Sequence, residues 1–251
     1  MAYFQPFPDI AYQFGNSEKS VAFPDLTVYV DMVDRLKDNL AFYSEYYVQE
    51  GDRPDQVSTI LYETPNYYWT FYLMNDHIRE QGWPLTERQL KIKAKKEFPN
   101  TTLTTSNELT NKLKVGTVIN GLGSGAIGTI VHRRLDFGQL IVETTDTFQA
   151  GEVITAQNDT SQSVQIRAQS EEFNATAHYI DASGRIRDVE PYNVNNFGGG
   201  LGIGGYNGTF AIVTFIDELR EQNDKLKRIK VPRPDVVFDI ANTFTDEMLN
   251  A

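Results

Sequence analysis

Five short runs, VGTVIN, GTIVHRR, GQLIVETT, GEVITAQ and SVQIRAQ, follow one another between Val115 and Gln169, most of them next to a glycine. The runs have the alternating texture of strands, most plainly in SVQIRAQ, and a period of two places successive side chains on opposite faces of a strand. That period does not suit a helix. Strands at roughly ten-residue spacing with turn signals between them build small all-β units. The texture therefore predicts an all-β module over residues 113–171.

On either side of this stretch the period changes. From Asp25 onward, Leu26, Val30, Val33, Leu36, Leu40 and Tyr43 recur every three or four residues, the stripe of an amphipathic helix. Phe42 to Gln49 (FYSEYYVQ) is rich in β-formers and stops at Glu50-Gly51-Asp52, which predicts a short strand and a turn. Asp52 is the expected cap of the next helix, with Pro54 in its first turn and Val57, Ile60 and Leu61 on one face. Thr64-Pro65 restarts a helix with Trp69, Tyr72 and Leu73 inward, and Asn75 to Pro84, including His77, is expected to be a loop. Thr86 and Gln89 have capping-box spacing for a basic helix ending near Phe98. The polar passage NTTLTTSNELTN beyond it reads as a boundary.

Past the β-module, NATAHYIDASGRIRDVEPY reads as a hairpin turning at Asp181 to Gly184. A glycine-rich loop leads to Thr209–Lys230, where Phe215, Leu219, Leu226 and Ile229 stand at near-helical spacing until Pro232 and Pro234 break the pattern. A last helix is expected from Asp235 to Leu249. The predicted class is α+β in three parts, residues 1–112, 113–171 and 172–251.

The chain's 251 residues, 40% of them hydrophobic, are ample for a buried core. A formal net charge of −11 argues against nucleic acid or an anionic membrane as the main partner, because both attract basic surfaces. The two short basic runs, KIKAKK from Lys91 and KLKRIK from Lys225, read as solvated helix faces or docking surfaces for an acidic partner. There is no cysteine, hence no disulfide or thiolate metal site, which fits assembly in a reducing cytoplasm. Neither a signal peptide nor a bilayer-spanning apolar run is read.

Little in the sequence points to catalysis. GSGAIG at Gly123 and GLGIGG at Gly200 match G-x-G-x-x-G, but a dinucleotide site needs a helix directly after the glycines. Strand-like TIVHRR and YNGTFAIVTF follow instead, so the two patterns read as a β-turn and a flexible loop. His77, His132 and His178 are far apart and have no second His or Cys at ligand spacing. The carboxylate pairs Glu171-Glu172 and Asp217-Glu218 lie in no recognisable catalytic context. No catalytic residue, cofactor or metal is expected.

The segment from Tyr46 to Asn75 crowds together six tyrosines, Trp69 and Phe71. In so small a unit Trp69 and several tyrosines must be core, while Tyr67, Tyr68 and Tyr72 exceed what two short helices can bury. Surplus rings of this kind mark a partner site. The order Tyr46-Tyr47-Val48, Gly51-Asp52, two short helices, Trp69 and Leu73-x-Asn75 resembles a LysM module. That resemblance implies a β-α-α-β fold, in which the Gly-Asp turn starts the first helix and the Asn closes the second. LysM modules generally bind N-acetylglucosamine polymers in a shallow groove. Arg53-Pro54 stands where glycan-binding members commonly carry a small polar residue and Leu, so the expectation is against glycan binding.

Over a longer span the chain resembles the baseplate wedge protein 53 family of contractile-tailed bacteriophages. The matching elements are Phe7-Pro8-Asp9-Ile10-Ala11-Tyr12, then Gly51-Asp52-Arg53-Pro54 with Tyr62, Trp69 and Asn75-Asp76. They continue with His178-Tyr179-Ile180-Asp181 and Gly184, and end with NDKLKRIK from Asn223 and Pro234 beyond it. The resemblance implies a structural baseplate subunit, assembled in the host cytoplasm and carried in the virion, that clamps neighbouring wedges around the tail tube during assembly and contraction. Its implied partners are other wedge proteins, neighbouring wedges and the sheath-initiating baseplate protein. On this reading Arg53, Tyr62, Tyr67, Tyr68, Trp69 and Tyr72 form one partner interface, on a LysM-like module that Arg53, Tyr62 and Trp69 also hold together. Leu219, Asn223, Leu226, Arg228 and Lys230 form a second interface, on a C-terminal helical docking element. The all-β module departs from the family's shorter members and is read as an insertion. The competing expectation is a LysM-type module that binds peptidoglycan, which predicts an exposed groove and usually a neighbouring hydrolase domain.

Overall fold

The computed structural model describes residues 9–13, 15, 19–25, 42–105, 109, 111–187 and 211–250. The helix expected from Asp25 and the glycine-rich loop after the hairpin lie outside the described residues. The architecture is α+β. In chain order its elements are β1 (Asp9–Gln13), β2 (Ser20–Pro24), β3 (Tyr43–Tyr47), α1 (Pro54–Tyr62), a 3-10 turn (Pro65–Tyr67), α2 (Trp69–Met74), α3 (Asp76–Gln81) and α4 (Glu87–Glu97). There follow β4 (Thr101–Thr105), β5 (Val118–Gly121), β6 (Ile127–Arg134), β7 (Gln139–Glu143), β8 (Val153–Ala156) and β9 (Asp159–Glu171). The remainder is β10 (Thr176–Ile180), β11 (Ile186–Arg187), β12 (Ala211–Thr214), α5 (Phe215–Leu226), β13 (Arg228–Pro232) and α6 (Val237–Asn250). The chain divides into two compact units, Met1–Glu87 with Gln222–Ala251, and Arg88–Glu221.

The first unit is built from pieces far apart in sequence. β1 and β2 form an antiparallel hairpin with Ile10 opposite Phe23 and Tyr12 opposite Val21. β3 instead finds its antiparallel partner in β13, with Tyr46 opposite Ile229 and Ser44 opposite Val231. The core gathers Val48, Val57, Phe71, Ile78, Leu226, Ile229 and Val231, with Tyr46, Leu61, Tyr62, Tyr72 and Trp83 packed around it. Trp69 and Leu73 are buried as expected, and Trp69 lies 5.0 Å from Phe244 of α6.

Three expectations change here. The helix expected to run through Ile229 ends at Leu226, because Arg228 to Pro232 alternates exposed and buried residues and completes a sheet with β3. Asn75 to Pro84 is not simply a loop: α3 forms there, carrying His77, with Ile78 fully buried and Gly82 ending it at a φ of 91°. Ile60 does not share the buried face of Val57; it is 65% exposed.

The second unit centres on a closed barrel in the order β4-β7-β6-β5-β8-β9. All five predicted runs are strands of it. The sixth strand, β4, comes from the Thr-rich passage expected to be a boundary, and it closes the barrel by pairing with both β7 and β9. The β-module thus begins well before residue 113. Threonine is a good strand former, and the passage's one central apolar residue, Leu103, is fully buried. The barrel is filled by Leu103, Leu113, Ile119, Ile130, Leu140, Val142, Phe148, Ile154, Val164 and Ile166, among others.

The hairpin after the barrel turns at Asp181–Gly184, and β12 adds to the other side of β10. Asp181 holds that turn by accepting from the Ser183 hydroxyl at 2.6 Å and the Arg185 amide at 3.0 Å. These bonds, with help from Arg187, keep its carboxyl far below the usual carboxylate range. Residues 172–187 belong with the barrel rather than with the C-terminal helix. Arg134 of β6 and Gln139 of β7 both donate to the Thr176 carbonyl, at 2.5 and 3.3 Å.

Candidate interaction site

The β3–β13 register pairs Tyr43 with Pro232, Glu45 with Lys230 and Tyr47 with Arg228. Strand alternation then places Tyr43, Glu45, Tyr47, Arg228 and Lys230 on one face, away from the core residues Ile229 and Val231. Lys230 Nζ sits 4.6 Å from the Tyr43 ring centroid, and Arg228 donates to both oxygens of Glu45 at 2.9 and 2.7 Å. Tyr47 is 54% exposed. An exposed ion pair of this kind contributes only about 0.2–1 kcal/mol, so its main effect is to orient the two side chains.

The sheet is fixed from behind by side chains. Asn75 is buried at the end of α2; its Nδ2 donates to the carbonyls of Lys230 at 2.6 Å and Phe71 at 2.8 Å. Its Oδ1 accepts the Lys230 amide at 2.8 Å. Both outward backbone groups of one β13 residue are thereby satisfied by one amide side chain. Tyr62 adds a hydrogen bond from its hydroxyl to the Pro232 carbonyl at 2.8 Å, and burial keeps that hydroxyl protonated well above the usual phenol range. Asn223 repeats the Asn75 pattern on Leu85, accepting its amide at 2.7 Å and donating to its carbonyl at 2.9 Å.

The Gly51-Asp52 turn works differently from the expected helix cap. Asp52 Oδ2 accepts from the Gln49 amide at 3.1 Å and the Tyr46 hydroxyl at 3.3 Å, while its carbonyl accepts Trp83 Nε1 at 2.7 Å. The carboxylate therefore ties the turn back to β3. Burial and this carboxylate together raise the Tyr46 phenol. Arg53 occupies the cap position, and its amide donates to Gln56 Oε1 at 3.1 Å. The exposed Arg53 guanidinium is folded onto Asp55 and holds that carboxyl below the usual range.

The residues expected at partner surfaces divide in two. Trp69, Leu219, Asn223 and Leu226 are buried within the chain and so present nothing to a partner in this conformation. The helix seam expected to dock elsewhere is already covered. Tyr62, Tyr67 and Tyr72 are half-buried, with Tyr62 edge-on to Tyr67 at 6.0 Å and Tyr72 6.1 Å from Trp83. Tyr68, Arg53 and Arg228 are exposed, and Lys230 is half-buried. The structure brings Arg228 and Lys230 onto one surface with Tyr43, Glu45 and Tyr47, none of which was expected at a partner surface; Tyr43, expected on the stripe of a helix, lies in β3 instead.

The first glycine pattern already has an internal occupant. It lies at the β5–β6 turn, and Glu152 fills it, accepting the amides of Gly123 at 2.9 Å and Ser124 at 2.8 Å. It also accepts the Gln149 amide at 2.6 Å and the Ser124 hydroxyl at 2.9 Å. Backbone donors that would cradle a phosphate are thus engaged by a protein carboxylate. His77, Gln81, Gln222, Lys225, Leu226 and Arg228 line an open depression of about 470 Å³. Among the described residues no three His, Cys, Asp or Glu side chains are grouped to hold a metal. The chain matches no protein-family model and no curated protein.

Proposed function

We propose that this protein is a structural subunit of a contractile phage tail baseplate, a clamp between neighbouring wedges that acts through its surfaces rather than through catalysis. One observation carries the reading. Two of the family-like motifs, Gly51 to Asn75 and Asn223 to Lys230, join in one unit through the β3–β13 pairing and the bonds of Asn75 to Lys230, 155 residues away. β3, α1, α2 and β13 support reading this unit as a LysM-like module, with α3 and a long insertion standing between α2 and the closing strand. The outward face of Tyr43, Tyr47, Arg228 and Lys230 then offers two aromatic rings and an arginine, residue types favoured at protein joints. Tyr68 and Arg53 add exposed groups on the helical side of the same module. In this role the event of function is the making and rearranging of contacts with neighbouring subunits.

The experiment is a pull-down with the tagged chain from phage-infected cells, run beside a binding assay on purified peptidoglycan. Co-purification with baseplate proteins and no retention on glycan is the expected result. Retention on glycan without tail proteins would sink the clamp and make the module a carbohydrate binder.

A further inference from the structure

The two edges of the β3–β13 sheet are treated very differently. Val48 donates to the Lys227 carbonyl at 2.8 Å and Arg233 to the Phe42 carbonyl at 2.9 Å. In an antiparallel ladder, bonded and non-bonded pairs alternate. The inward-turned groups of β3 therefore belong to Phe42, Ser44, Tyr46 and Val48, and the outward-turned ones to Tyr43, Glu45 and Tyr47. At two of the three outward-turned residues of β13 the groups are closed: Asn75 takes both from Lys230, Tyr62 takes the Pro232 carbonyl, and Pro232 has no N–H. The outward edge of β3 has no such cover among the described residues, apart from Gln49 Nε2 donating to the Tyr47 carbonyl at 3.0 Å. Nor does YSEYY carry the proline, lysine or bulge with which proteins usually blunt an edge strand.

We infer that the outer edge of β3 is a strand-addition site, and that an extended segment of a different polypeptide, with Lys or Arg opposite Glu45, adds there as a third strand. An open row of alternating donors and acceptors recognises an extended backbone, and side chains set the choice of segment. Glu45 is the only charged residue of β3, and both cations of the face belong to β13 on its far side. A basic residue on the added strand would place Glu45 between two positive charges. Tyr43 and Tyr47, two positions to either side, give flanking β-branched or aromatic residues a ring to pack against. A second copy fits poorly, because antiparallel self-pairing centred on this strand sets Glu45 against Glu45. The site goes beyond the clamp reading and does not depend on it. A failed pull-down would leave it standing, and a failure here would leave the clamp standing.

The test pans a random peptide library against the immobilised full chain and measures the selected peptides against wild type, Glu45→Ala and Glu45→Pro. Glu45→Ala removes the charge and keeps the outward N–H. Glu45→Pro also removes that N–H, at a position where the β3–β13 ladder does not use it. The expected outcome is extended, basic peptides that lose a few-fold on Glu45→Ala and about tenfold or more on Glu45→Pro, the scale of one lost backbone bond plus a steric block. In the wild-type complex the amides of Tyr43, Glu45 and Tyr47 should pass from fast to slow hydrogen exchange, while those of Ser44 and Tyr46 stay slow throughout. This second readout holds even if the proline variant misfolds. A library yielding no binders, equal affinity for both variants, or no slowing at the three outward amides would overturn the proposal. So would a concentration-dependent dimer abolished by Glu45→Pro, which would give the edge to a second copy.

Discussion

The barrel and the β3–β13 sheet solve the same problem, satisfying strand backbones, in opposite ways. Five of the barrel's six strands come from one continuous stretch and meet largely as sequence neighbours, and closure leaves no edge. The sheet joins strands that only a long chain excursion brings together, with Arg228 and Glu45 183 residues apart. At Lys230 and Pro232 its back edge is closed by side chains, Asn75 and Tyr62, rather than by more backbone. Local pairing makes a self-contained unit, whereas distant pairing makes one whose integrity hangs on a few polar side chains and whose front remains open.

The largest expected effect comes from removing the distant strand. A chain ended at Lys227 lacks β13 and α6. Both tryptophans, Trp69 and Trp83, lie in the first unit, so their emission should shift to that of solvent-exposed indole. Exchange protection at Ile130, Leu140 and Ile154 should survive, and native-like emission would break the comparison. Next comes Asn75→Ala, which strands the Lys230 amide and carbonyl and should cost about 2–4 kcal/mol in urea unfolding followed by tryptophan emission. Barrel amides should be indifferent to it.

Glu152→Gln is the barrel's counterpart and should cost about 1–3 kcal/mol there. Burial alone would raise the Glu152 carboxyl, but the bonds from Gln149, Ser124 and Gly123 outweigh it and hold the group below the usual range. A lowered folded value favours the charged form in the fold. The contribution is therefore complete above an unfolded value of about 4.3 and is lost as pH falls through the folded one. Barrel exchange protection should drop with acid across that window in wild type and lose this component in the variant. Smallest is Arg228→Ala, below about 1 kcal/mol because its partner Glu45 is exposed, with unfolding midpoints nearly unmoved.

The same contrast governs what could be read in the sequence. The five contiguous barrel strands and the Asp181–Gly184 turn were legible because alternation, glycine and Asx-turn chemistry are local signals. β4 was not, since TTLTT carries one apolar residue and takes its strand character from closing the barrel. β13 was hidden by coincidence: Ile229 falls three positions after Leu226, a helical step, although its real partner is Tyr46. α3 shows only one apolar residue, Ile78, too few to display a period. Among the expected contact residues, Leu219 and Leu226 lie on a seam that spacing reveals and Asn223 in the family-like NDKLKRIK motif, but neither signal tells which part of the protein covers them. Asn75 stood in the motif; its grip on Lys230 appears only once β13 is in place.

The separation of β3 from β13 also sets an order in time. At about 5–20 residues per second, a ribosome needs on the order of 10–40 s to travel from one strand to the other. All of Arg88–Glu221 is synthesised in that interval, so the barrel can be finished while the tyrosine-rich strand still waits for its partner. A nascent chain stalled short of Arg228 would carry a complete barrel and an unclosed module. The last stretch of translation thus acts as a release step for the surface built on β3.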